Sequence, residues 1–116
     1  MHLQVSVSGG ASDGLEISFE QFPITLGREG NPRLPVQDRW ASRHHCELFE
    51  QDGRIGLRDL GSKHGTFVNG DCVEQCMLNE GDKLMVGLTI ISVDKISNAA
   101  PVEENLLIDR ESGVSA

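Results

Sequence analysis

The residues of this chain that could do chemistry fall in three short groups. Gly27-Arg28 follows an apolar stretch, Ser42-Arg43-His44-His45 precedes another, and Gly61-Ser62-Lys63-His64-Gly65-Thr66 lies between two more. Hydroxyl, guanidinium and ammonium donors are the inventory for holding an anion. A guanidinium lays two parallel N–H bonds on one oxyanion, and such charge-assisted bonds are stronger than neutral ones. Between residues 27 and 45, Arg28, Arg33, Arg39 and Arg43 stand against Glu29 and Asp38, a local excess of two positive charges in a chain of net charge −8. Such a patch suits a compact anion. The overall negative charge argues against sequence-independent binding to nucleic acid, which needs a basic footprint.

These groups need a frame that holds loops in register, and the intervening pattern supplies one. Leu3, Val5 and Val7 alternate with polar residues, as do Leu15, Ile17 and Phe19, and Phe22, Ile24 and Leu26. Period-two alternation predicts half-buried strands, the first two forming a hairpin. Cys46, Leu48 and Phe49 lead to Asp52-Gly53, and Phe67-Val68 leads to Asn69-Gly70. Both dipeptides are strong two-residue hairpin signals, so return strands are expected at Ile55–Leu57 and Cys72–Val73. Further strands are expected at Leu84–Val86 and Leu88–Val93, the first introduced by the turn Asn79-Glu80-Gly81-Asp82. Between Glu29 and Ala41, Pro32 and Pro35 mark a loop with a short edge strand near Leu34–Val36, and Trp40 is either a packing anchor under this loop or a peptide contact, packing being the favoured reading. Many short strands with frequent turns and no helical period predict an all-β fold, an antiparallel β-sandwich of two packed sheets. In such a sandwich all three groups can gather at one end, where strands meet loops.

The order Gly-Arg, then Ser-Arg-x-His, then Asp-x-x-Ser-x-x-Gly-Thr-x-Val-Asn-Gly resembles the forkhead-associated (FHA) domain, and the resemblance runs from about Leu15 to Val93. The family is a phosphothreonine-binding module. The resemblance implies phosphate contacts from Arg28, from Ser42 through its hydroxyl and backbone N–H, and from Arg43 and Lys63. It implies that His45 supports its loop by internal hydrogen bonds, and that Gly27, Asp59, Ser62, Gly65, Thr66, Asn69 and Gly70 shape the loops. His64 departs from the pattern: the family usually has Asn there, expected to hold the ligand's backbone beside the phosphothreonine. The implied partner is a phosphothreonine-containing protein, the product of a Ser/Thr kinase, with no cofactor or metal. Two other readings are weighed against it. A scaffold of the same fold could bind its partner independently of phosphate, and Arg28 could be a surface arginine paired with Glu29 or Asp38.

Other classes find less support. An enzyme is not expected, since Ser62-Lys63 inverts the Lys-Ser order of a P-loop. Cys46, Cys72 and Cys76 lack metal-ligand or disulfide-framework spacing, and Cys46, two residues before Leu48, reads as a core residue. No apolar run approaches the roughly 18 residues of a membrane span, and the first residues do not read as a signal peptide, which favours a cytoplasmic or nuclear location. The 116 residues have room for one domain, expected over 1–95. Residues 96–116 read as an acidic linker or tail without fixed structure, joining the domain to further domains of a longer protein.

Overall fold

The computed structural model describes residues 1–10 and 12–97. They form ten strands: β1 (His2–Ser8), β2 (Glu16–Phe19), β3 (Ile24–Leu26), β4 (Cys46–Gln51), β5 (Arg54–Asp59), β6 (Thr66–Val68), β7 (Asp71–Val73), β8 (Gln75–Met77), β9 (Lys83–Val86) and β10 (Thr89–Ser97). Two antiparallel sheets result, one of order β2-β1-β10-β9-β6-β7 and the other β3-β4-β5-β8. The expected sandwich is therefore present, with no helix among the described residues. Alternation decides which side of each strand is inside. Leu3 and Val5 of β1, Leu26 of β3, Leu48 of β4, Leu57 of β5 and Leu84 of β9 are fully buried between the sheets. Burial of such side chains contributes about 1.5–3 kcal/mol each and makes this layer the main source of stability.

The turn chemistry behaves as the sequence dictates. Asp52 and Asn69 have φ of 52° and 53°, each followed by a glycine at positive φ, the backbone that a two-residue β4–β5 or β6–β7 hairpin requires. A third such turn was not anticipated: Val86 pairs with Thr89, so Gly87-Leu88 is itself the hairpin loop and Leu88 lies outside the strand expected to contain it. Three other expectations are corrected. Leu34 and Val36 are fully buried, yet they belong to no strand; prolines 32 and 35 remove the N–H groups that a ladder would use. Strand β8 pairs with β5 although Gln75-Cys76-Met77 shows no alternation long enough to read. Phe22 precedes β3 rather than opening it.

Strand β10 continues to Ser97, two residues past the boundary expected at 95. The expectations for residues 98–116 lie outside the described residues.

A candidate anion site at one end of the sandwich

Three loops meet where β3 ends and β4 and β6 begin. Leu26 pairs with Cys46 and Cys46 with Asp59, which places the ends of β3 and β5 beside the start of β4. Beyond Leu26 the backbone of 27–29 runs against that of 42–43, with Arg28 N donating to Ser42 O at 3.0 Å and Glu29 N to Arg43 O at 2.9 Å. Only glycine fits at position 27. Its φ is 152°, and a Cβ there would strike the carbonyl oxygens of Arg43 and Ser42.

His45 ties this pair of segments to the third. The ring is fully buried; Ser42 N donates to its Nδ1 at 3.0 Å, and its Nε2 lies 2.8 Å from the carbonyl oxygen of Gly65. A backbone N–H can only donate and a carbonyl can only accept, so the imidazole is neutral with its proton on Nε2. Its own backbone bonds Leu26 O and Leu60 N. One residue thus connects all three groups. The arrangement corrects one expectation: the backbone N–H of Ser42 is taken by His45 and is not offered to a ligand. The hydroxyl is differently placed. Lys63 N donates to Ser42 Oγ at 3.0 Å, which leaves the hydroxyl proton available to an anion.

The third loop is wound around Asp59. Its carboxylate accepts from Gly61 N and Ser62 N at 3.0 Å each, from Ser62 Oγ at 2.6 Å and from Thr66 Oγ1 at 2.7 Å. Ser62 Oγ in turn accepts from Gly65 N at 2.9 Å. With the base of the loop closed, Lys63 and His64 are left at its exposed apex. Gly65, at φ 89°, turns the chain into β6, and a Cβ there would crowd the Sγ of Cys72. Burial acts to raise the Asp59 pKa, but the bonds from Ser62, Thr66 and Gly61 outweigh it and hold the carboxyl below its usual value.

That shift has a consequence for stability. A folded-state pKa below the unfolded value means that the contribution of Asp59 is complete above about pH 4 and is lost as pH falls through the lower folded value. Asp59→Asn is therefore expected to be less stable than wild type at pH 7, with the difference narrowing by pH 3. Urea midpoints at pH 7, 4.5 and 3 provide the check, and a gap that stays constant would remove the carboxylate from this role.

The basic side chains face outward from this frame. Arg28 Nε donates to Ala41 O at 2.8 Å, an anchor that leaves both terminal nitrogens of the guanidinium free to fork. Arg28, Arg43 and Lys63 are exposed, and among the described residues the one ion pair within 4.0 Å is Arg58–Glu47. The ion-pair reading of Arg28 with Glu29 or Asp38 does not hold. Asp38 instead accepts from Trp40 N, Leu88 N and Thr89 Oγ1. Trp40 is a correction as well. The ring expected under the loop is 45 % exposed and meets His64 edge to face at 5.1 Å, because Ala41 beside it takes the inward position.

Two of the loop-shaping residues act elsewhere. Asn69 bonds Asp82 and the backbone of Lys83 at the far end of β6, and Gly70 completes that turn. Cys46 is a core residue as expected, and burial pushes its thiol up to about 12, which removes it as a nucleophile.

Comparison with known proteins agrees with this geometry. The family model described as FHA domain matches residues 24–87, more than half of the chain. The chain is an FHA domain. A solved structure from work on phosphothreonine-dependent FHA domain interactions superposes with a TM-score of 0.73 at 25% identity, covering 84% of this chain and 99% of that one. The FHA domain is also similar to the glycogen accumulation regulator GarA of Mycolicibacterium smegmatis, at 30% identity over 70% of this chain and 51% of GarA. It is 35% identical, over 78% of its length, to the ABC transporter ATP-binding/permease protein Rv1747 of Mycobacterium tuberculosis, of which it covers 10%. The chain thus spans about half of one relative and a small part of the other. Phosphothreonine-dependent binding between proteins is the function of this family, and this FHA domain is an interaction module of that kind.

Proposed function

We propose that the domain docks a phosphothreonine-bearing segment of a protein partner at the corner formed by Arg28, Ser42, Arg43 and Lys63. A phosphothreonine carries nearly two negative charges and three acceptor oxygens, so its receptor needs donors from several directions. The single observation that carries the assignment is the guanidinium of Arg28, anchored on Ala41 O and without an ion-pair partner among the described residues, on backbone bonded to that of Ser42, whose hydroxyl proton is free. Arg43 and Lys63 add charge at the rim, and His64 takes the place beside the ligand backbone.

Binding without catalysis is part of the same proposal. Ser42 meets His45 through its backbone N–H, and Asp59 is bonded to Ser62 and Thr66, so the three do not form a nucleophile–base–acid chain. A Gly-x-Ser-x-Gly string does occur at residues 10–14, but it joins antiparallel strands β1 and β2 rather than a strand and a helix, and Ser12 Oγ donates to Pro35 O. The partner is proposed to be a Ser/Thr kinase product, in a compartment where ATP is available, either cytoplasm or nucleus. Further domains in a longer protein are proposed by analogy with the transporter relative, of which the match is a tenth. Net charge −8 favours neither nucleic acid nor an anionic membrane as ligand, and among the described residues no helix is long and apolar enough to cross a membrane.

A phosphothreonine-oriented peptide screen followed by titration of the best sequence tests the reading. The phosphorylated form is expected to bind in the micromolar range, about 8 kcal/mol, and the unphosphorylated form at least thirtyfold more weakly. Equal binding of the two would transfer the domain to the phosphate-independent scaffold class.

A further inference from the structure

The outer face of the six-stranded sheet carries an apolar stripe that the described residues leave uncovered. Ladder partners set it out: Ile90 of β10 lies opposite Met85 of β9, Met85 opposite Phe67 of β6, and Phe67 opposite Cys72 of β7. Directly paired residues share a face. The residues beside them in β10, β9 and β6, such as Ile91, Leu84, Val86 and Val68, are buried between the sheets, so the stripe points away from the core. Ile90 and Cys72 are exposed, and Met85 and Phe67 are half-buried. The rest of the face is polar. Ser6, Ser92 and Lys83 form the next row, and Gln4 and Lys95 the one beyond, with the carboxylate of Asp94 turned to Ser6 Oγ at 3.2 Å.

Size and charge decide what can cover the stripe. Four strands spaced ~4.8 Å apart make it about 14 Å long and one side chain wide, on the order of 100 Å², against about 800 Å² per partner in a stable complex. Two copies of a chain of net charge −8 also repel each other. A segment tethered to the domain meets neither objection, because a short connection gives it a local concentration of about millimolar.

Such a segment follows β10 directly. After Asn98-Ala99-Ala100-Pro101 the chain reads Val102-Glu103-Glu104-Asn105-Leu106-Leu107-Ile108. Ile90 lies seven residues back from Ser97 along β10, about 23 Å, whereas the nine residues from Ser97 to Leu106 can reach about 30 Å. The order of side chains matches as well. From Ser97 towards the stripe the face presents Lys95, then Lys83, then the apolar row; from Ser97 along the chain come Glu103 and Glu104, then three consecutive aliphatic residues.

We infer that residues 102–108 fold back over β10 and β9 and seat Leu106, Leu107 and Ile108 on Ile90, Met85 and Phe67, with Glu103 and Glu104 beside Lys95 and Lys83. The domain thereby carries its own cover for the outer face of this sheet, on a surface separate from the anion corner.

Nuclear Overhauser contacts in the 116-residue chain and the rate at which peroxide oxidises Met85, read by peptide mass spectrometry, test this docking. Contacts are expected from the methyl groups of Leu106, Leu107 or Ile108 to the Phe67 ring. In Leu106→Ser/Leu107→Ser, changed only outside the described core, Met85 is expected to oxidise about fivefold faster than in wild type, while Met77 on the other sheet keeps its rate as the internal control. Equal Met85 rates in the two chains, or absence of those contacts, overturns the inference and leaves the stripe open to another protein. Protection of Met85 that fades on dilution gives the stripe to a second copy of the chain and overturns it likewise.

Discussion

Arg28→Ala is expected to weaken binding of a phosphothreonine peptide by at least about 2 kcal/mol, roughly thirtyfold, while the domain stays folded. Hydrogen bonds to charged groups contribute about 1.5–3 kcal/mol each, and the forked end of Arg28 has room for two on one phosphate. In the free protein the side chain makes a single bond, to Ala41 O, at the surface. Its removal costs stability little, of order 0.5–1 kcal/mol, so the loss falls on binding. Arg28→Lys separates charge from geometry. An ammonium keeps the charge but cannot hold Ala41 O and fork onto the ligand together, so an intermediate loss of about five- to tenfold is expected. Titration of each variant with phosphorylated and unphosphorylated peptide gives the comparison. Unchanged affinity in Arg28→Ala would remove the residue from the site.

His45→Ala is expected to act through the fold and to have the largest effect on stability. The imidazole satisfies Ser42 N–H and Gly65 C=O, both part of the loops that carry Ser42 and Lys63. Each group left unsatisfied costs about 1–3 kcal/mol, and the emptied volume adds to this, so a loss of about 3 kcal/mol or more is expected. In a domain of this size that lowers Tm by roughly 12 °C or more. Phosphopeptide binding should fall even at temperatures where the variant remains folded, because the two loops lose their common tie. His45→Gln, which offers a donor and an acceptor from one amide, is expected to recover part of the stability. Thermal unfolding with parallel titration at 15 °C measures both effects, and a fully stable His45→Ala domain would contradict the assigned role.

Features encoded by local backbone chemistry were legible in the sequence. Asp52-Gly53 and Asn69-Gly70 specify their turns through positive φ, and alternation over β1, β2 and β4 specifies which side is inside. The gathering of Arg28, Ser42 and Lys63 at one end was also legible, as it follows from antiparallel strands with loops at alternating ends. What escaped depends on contacts between distant residues. Leu34 and Val36 are as buried as any strand residue, but prolines between and before them withhold the hydrogen bonds that define a strand. Trp40 points outward because Asp38 caps its turn and Ala41 fills the core, and a lone aromatic in a loop carries no periodicity to indicate that. The engagement of Ser42 N by His45 required knowing that the ring turns back within its own loop.

The antiparallel pairing of β1 with β10 sets His2 opposite Ser97 and Ser8 opposite Ile90. Ser8 and Ile90 lie near the β9–β10 turn that contacts Asp38, so the corner that holds Arg28 and Ser42 is at their end, and the other ends of the two strands lie together about 20 Å away. The domain therefore behaves as a cartridge with both leads on one side. Spliced into a loop of a host protein, or joined through either lead, it would present the corner of Arg28 and Trp40 outward without the host chain crossing it. Circular permutation that joins His2 to Ser97 by a short glycine linker and opens the chain at the exposed Gln51–Arg54 hairpin should likewise leave the corner undisturbed.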